Sequence, residues 1–309
     1  MGFPVDTGVA NYSSTGANNT SKFIPQIWSS KLVEKFYDAT VFGEIANTDY
    51  EGEIQAHGDE VIIRTVAAIT INNYVKGQGL NYQQPENANT SLKINKGKYF
   101  AFELKRIDET QSDIRLMNEW ATDGGEGMKI DVDTDILGTV YTSASAQNSG
   151  AAAGKLSGDI NLGIAGTPLA LTKANIIDSI VDYGTVLDEQ SVPGSDRYLV
   201  MPAKMCGLIK KSDLKDASIS GDDTSIVRNG RLGIIDRFTL YSSNNVNKTG
   251  VEYDIIFGHK SAITFAGQIT FMQEIDNPND FGTLARSLFV FGFEVIKPES
   301  LGHSVVTVG

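Results

Sequence analysis

A single cysteine, Cys206, stands in 309 residues, so a disulfide within the chain and a thiolate metal cage are both excluded. A reducing compartment fits that usage. Histidine is nearly as scarce. His57, His259 and His303 are far apart in sequence and form neither HExxH nor HxH, the spacings that place two imidazoles on one metal. No apolar run approaches the ~20 residues of a membrane-crossing helix, and no charged start precedes an apolar segment. A soluble protein with no membrane contact and no standard secretion signal is expected. GxSxG and GxxxxGK[ST] are missing, which removes the common nucleophile elbow and phosphate loop. Gly77-Gln78-Gly79 lacks the third glycine of a dinucleotide loop and reads as a turn. Basic charge is also short: 26 Lys and Arg against 38 Asp and Glu give −12. That balance argues against a protein that adheres to nucleic acid.

The charge is unevenly spread. Residues 107–147 hold 2 basic and 9 acidic side chains, or −7 of the −12. The same stretch is the organising element: 111–146 contains no proline and predicts one long amphipathic helix. Ile114, Met117, Ala121, Met128, Val132 and Ile136 form its apolar stripe, while Glu119, Asp123, Glu126 and Asp133 project from the opposite, acidic side. Gly124, Gly125 and Gly127 predict a kink or break near Asp123, at roughly 1 kcal/mol each against alanine. Asp131, Asp133 and Asp135 mimic a calcium loop, but Ile136 stands where glycine is required and Thr142 where glutamate should be. A solvated helix face is the better account.

Around this beam the pattern changes repeatedly. Residues 1–22 are polar and without periodicity, and read as an extended or disordered arm. FIPQIW at 23–28 is a dense apolar patch, and helical spacing of Ile27, Lys31, Leu32, Val33 and Phe36 continues to about Asp38. Those apolar groups need a surface elsewhere. Period-two segments follow at 61–66, 69–71, 92–94 and 99–102, with turn chemistry between, which predicts a long two-stranded excursion. Such a ribbon cannot bury much alone, so it must lean on a neighbour. Residues 149–167 are glycine-rich and read as a linker or crossing loop. Thr172 is the expected N-cap of a helix to Asp188 with Ile176, Ile177, Ile180 and Val181 on one face. A strand at 198–201, a helix opened by Pro202, and strands at 238–241, 253–257, 263–273, 284–296 and 305–308 predict a mixed sheet flanked by helices. Residues 214–231 form a projecting polar loop. Asp222 and Asp223 there have the residue types for a paired acid and base, or for holding a metal, but no histidine or nucleophile lies near in sequence. Lys204, Lys210, Lys211 and Lys215 form a basic cluster without aromatic interleaving, a solvated or subunit-contacting face.

The order of these parts resembles the major capsid protein of tailed bacteriophages, with its Hong Kong 97-type α+β fold. Local strings carry the likeness too: FIPQIW at 23–28, NTDYEGEI at 47–54, HGDEV at 57–61, KYFAF at 98–102, SGDD at 220–223 and GHKSAITFA at 258–266. The resemblance implies an N-terminal arm at 1–50, an extended E-loop at 51–106, a peripheral domain from 107–165 and 267–309 built on the spine helix, and an axial domain at 166–266. It implies self-assembly into hexamers and pentamers of an icosahedral head around double-stranded DNA, in the virion, with no enzymatic activity and no cofactor. Portal and decoration proteins are implied partners, and the short polar start, which lacks a helical scaffolding segment, implies a separate scaffolding protein or none. Phe23, Ile27, Trp28, Lys76, Tyr82, Asp222, Asp223 and Arg228 are the expected subunit contacts, Lys76 also being placed like a crosslinking lysine. Glu119, Asp123, Glu126 and Asp133 are the expected genome-facing acidic side. An encapsulin-like shell for protein cargo and a carboxylate-dependent hydrolase using Asp222 and Asp223 are the alternatives.

Overall fold

The computed structural model describes residues 40–49, 60–64, 69–80, 82–84, 89–105, 116–212, 233–278 and 280–309. In chain order these form α1 (Phe42–Ile45), β1 (Glu60–Arg64), β2 (Asn89–Lys93), β3 (Lys96–Lys105), α2 (Leu116–Leu137) and β4 (Leu169–Leu171). Then come α3 (Ile176–Glu189), β5 (Arg197–Met201), α4 (Ala203–Lys211), β6 (Ile234–Ile235), β7 (Phe238–Ser242) and β8 (Lys248–Thr249). The chain ends with β9 (Glu252–His259), β10 (Ile263–Asp276), β11 (Gly282–Val295) and β12 (Leu301–Val308).

The larger sheet has the order β4-β12-β9-β5-β7-β6, with β8 beside β9. It is mixed: β12 runs parallel to β4 and β5 parallel to β7, and the other pairs are antiparallel. Strand β5 shows why its sequence is apolar throughout. Leu199 and Met201 join one core with Ile176, Ile180, Tyr183 and Leu187 of α3 and Met205 and Ile209 of α4. Tyr198 and Val200 point the other way, into a second core with Val132 and Ile136 of α2 and Phe291 and Val295 of β11. Strand side chains alternate between faces, so a strand covered on both must be apolar at every position. Arg197 is the exception at its start, fully buried and satisfied: its guanidinium donates to the Val192 and Pro193 carbonyls and, at 2.6 Å, to Asp188.

Strands β10 and β11 are long antiparallel partners, and β3 adds to the other edge of β11. Phe289, Phe291 and Phe293, two residues apart, stack along one face with centroids 5.7 and 6.5 Å apart. That face meets α2. The excursion root, β1 paired with β2, has its own small core of Ile63, Leu92 and Ala266. Where it crosses β11, a side chain at position 292 would overlap the Lys93 carbonyl, so glycine is required for the close approach.

Several expectations are corrected. The helix is described only from Leu116, and it closes at Leu137 rather than running to 146; Gly138 N–H bonds to Thr134 and short 3₁₀ turns follow at Val140–Ser143 and Ala146–Asn148. The turn of chain there lets Val140 enter the second core. No break occurs at the three glycines. A Cβ on Gly124 would lie 3.0 Å from Cγ of Phe100, so this glycine lets β3 press against the helix rather than ending it. Thr172 does not cap α3 with its hydroxyl; Asn175 Oδ1 accepts from both its N–H and Oγ1, and the helix starts at Ile176. Val181 is 46% exposed, because Tyr183 and Leu187 continue the buried stripe instead. The glycine-rich 149–167 stretch is a packed crossing loop, with Ala153 and Leu162 fully buried. The expected strand at 69–71 is not formed; Ile69 and Ile71 lie outside any ladder.

Candidate intersubunit contact surfaces

Beyond β1, the excursion turns at residues 75–78, where Gln78 N–H donates to the Val75 carbonyl and Gly77 adopts a φ of +91°. Its two sides are also tied by Gln83, whose amide donates to and accepts from the backbone of Thr70, both at 3.1 Å. Yet the apolar side chains find no cover. Ile69, Ile71, Tyr74, Val75, Leu80 and Tyr82 are 71, 93, 75, 57, 67 and 86% exposed. Exposed apolar groups clustered on a projection mark a surface that another molecule covers. Lys76 and Tyr82, expected as contacts, both sit on this projection and are exposed. The other apolar members were passed over. For Ile69 and Ile71 the alternation at 69–71 was the available signal, whereas Tyr74, Val75 and Leu80 follow no period. Phe23, Ile27, Trp28, Asp222, Asp223 and Arg228 lie outside the described residues.

The acidic side of α2 divides into three environments. Glu119 is exposed, Asp123 half-buried, and Glu126 pairs with Lys129 one turn away at 2.6 Å. Asp131 and Asp135 face β3, where Lys98 and Lys96 reach them at 3.3 and 3.0 Å. Asp133 does not belong to the solvent-facing side at all. It is fully buried, and its Oδ1 accepts from the backbone N–H groups of Val41 and Phe42 at 3.0 and 2.9 Å. Its Oδ2 accepts from Asn245 Nδ2 at 2.8 Å and Ser243 Oγ at 3.4 Å. One carboxylate thus joins the chain entering α1, the helix and the loop after β7. A buried carboxylate persists only when its oxygens are so satisfied. Helical periodicity put Asp133 outside because it cannot register that a second element wraps that side.

A second polar junction lies at the far end of α3. Asp188 bridges Arg197 and Arg237, each at 2.6 Å. Burial pushes its carboxyl upward, but hydrogen bonds from Arg237 and Arg197 outweigh that and hold it below the usual range. Glu189 is also held low, first by the Leu156 N–H, which fastens the crossing loop. His303 and Asp254 pair at 2.8 Å, with the Tyr141 ring 4.9 Å from the imidazole. Among the described residues, no cluster of His, Cys, Asp or Glu could hold a metal ion, and no helix is long and apolar enough to cross a membrane. These polar groups act as fasteners between elements.

Residues 88–302, more than half the chain, match the model of a family described as phage capsid protein. This chain belongs to that family. A structure from Mycobacterium phage Che8 is 25% identical, with a TM-score of 0.77 over 91% of this chain and 96% of that one. The capsid structure of cyanophage P-SCSP1u gives 0.70 at 12% identity, covering 97% and 100%. The mature capsid of bacteriophage PhiM1 gives 0.66 at 15%, covering 98% and 99%. No curated protein matches the chain. The phage capsid protein has the Hong Kong 97-type α+β fold and is a major capsid protein, a structural component of the virion that assembles with its own copies. Neither the protein-cargo compartment nor the hydrolase gains support from these matches.

Proposed function

We propose that this capsid protein is the repeating subunit of the hexamers and pentamers of an icosahedral head around double-stranded DNA, and that it contributes no chemistry of its own. Residues 51–106 act as the E-loop lying over an adjacent subunit, with 1–50 as the arm. Residues 107–165 and 267–309 make the peripheral domain, and 166–266 the axial domain that meets its copies at the symmetry axes. The observation that carries this is the uncovered apolar projection, above all Ile71 and Tyr82 at 93 and 86% exposed. Burying such a surface on a neighbour releases water from both and drives association. Changing Ile71 and Tyr82 together to aspartate should leave a folded subunit that forms no shells by negative-stain microscopy. Normal shells from that variant would sink the assignment of the E-loop.

Glu119, Asp123 and Glu126 serve as the genome-facing acidic side, repelling phosphate so that packaged DNA stays mobile. Asp133 takes no part, being internal. Reversing the three to lysine should hinder packaging or ejection, and unchanged genome delivery would remove this role. A portal and a separate scaffolding protein complete assembly, with a decoration protein as a further partner of the finished shell.

A further inference from the structure

A groove of about 490 Å³ opens between α1, α2 and the long sheet, with Phe42, Phe100, Met128, Val132 and Phe289 as its apolar lining. Four of these five are only half-buried. A recess of this kind within one chain asks for apolar cover. It is also firmly built. The Asp133 carboxylate fixes the N–H groups of Val41 and Phe42, the Phe42 ring packs 5.1 Å from that of Phe265, and Phe289 stacks on Phe291. The walls therefore stand without an occupant.

Thr40, the first described residue, is itself part of the lining. The 39 residues before it must leave from the groove's own rim. Immediately upstream in sequence lies an amphipathic stretch in which Leu32, Val33 and Phe36 have the spacing of one helical face. Phe36 is four residues from Thr40, a span of at most about 14 Å even if fully extended. A partner tethered that closely is present at an effective concentration on the order of millimolar, well ahead of a segment arriving from another molecule.

We infer that Leu32, Val33 and Phe36 of the same chain seat in the groove between α2 and the long sheet, so that the arm is anchored on its own subunit before any neighbour is met. The FIPQIW patch at 23–28 then stays beyond the anchor, available to a second molecule.

The test uses the full-length, unassembled subunit, so its outcome does not depend on whether shells form. With Phe36→Cys and Met128→Cys introduced and buried Cys206 left in place, a short bis-maleimide should join the two new thiols within one chain. The linked fraction should not change on hundredfold dilution. Linkage only between chains would show that a sister arm takes the groove and would overturn the inference. So would the absence of any linkage when both thiols react with a simple maleimide. As a second measure, Phe36→Ala and the groove-filling Met128→Trp should each speed protease cleavage within residues 1–39 about tenfold, the scale of one large apolar side chain losing its site. Unchanged cleavage in both variants, with residues 40–309 melting normally, also overturns it.

Discussion

The same residue types meet opposite fates in two parts of this capsid protein. In the large sheet, Leu199, Val200, Ile255, Ile256 and Phe257 are at or below 1% exposed, while Ile71 and Tyr82 of the excursion are almost wholly exposed. The sheet strands are sandwiched, with α3 and α4 on one side and α2 and the long sheet on the other. The excursion beyond the β1–β2 ladder has no second layer, so among the described residues its apolar side chains have no core to join. Apolar composition alone therefore does not tell core from contact surface. What separates them is the number of layers the topology stacks there.

Breaking the sandwiched side should cost most. Arg197→Ala removes a fully buried guanidinium, takes its donors from the Val192 and Pro193 carbonyls, and leaves Asp188 with Arg237 alone. A loss of about 3–5 kcal/mol is expected by denaturant unfolding, the scale for removing one member of a buried charged network. A loss under about 1 kcal/mol would mean the network is incidental. Asp133→Ala strands the N–H groups of Val41 and Phe42 and should cost roughly 2–3 kcal/mol. Amide exchange at residues 41–46 should accelerate with it, and protection left intact there would contradict the fastening role. Gly124→Val forces the Phe100 ring away from α2 and should cost about 1–3 kcal/mol by overpacking. Smaller again is the acid dependence. Asp188 titrates below its usual 3.8, so its bridge stabilises the fold above that pH and is lost as pH falls through the lowered value. Asp188→Asn should flatten that part of the stability–pH curve, and curves of unchanged shape would assign the acid sensitivity to other groups. At the bottom of the scale, the Ile71 and Tyr82 aspartate pair should shift subunit stability by no more than about 0.5 kcal/mol while abolishing shells. A large loss of subunit stability would erase the contrast between the two regions.

Much of this was legible in residue order. Strand β5, the long strands β10 and β11, and the helix opened after Pro202 follow from runs, alternation and turn residues, because these report local backbone preference and one-sided burial. The resemblance rested on the succession of such parts, which a linear chain displays directly. Length of the spine helix was less accessible: periodicity persists beyond Leu137, yet the chain there turns through 3₁₀ steps so that Val140 can pack. Gly124 looked like a breaker, since its value lies in a ring brought from β3, 24 positions earlier, which no local window contains.

The sequence by itself determined that the chain is poor in metal- and thiol-based chemistry, that a helix and a mixed sheet follow a projecting excursion, and that the excursion carries apolar groups in need of cover. Only the tertiary structure decided which acidic residues of the helix remain outside, paired Asp131 and Asp135 with lysines of β3, and drew Asp133 into the interior against Val41, 92 positions away. The reason is geometric. A helix wheel knows one axis, whereas burial depends on every element that later packs around it.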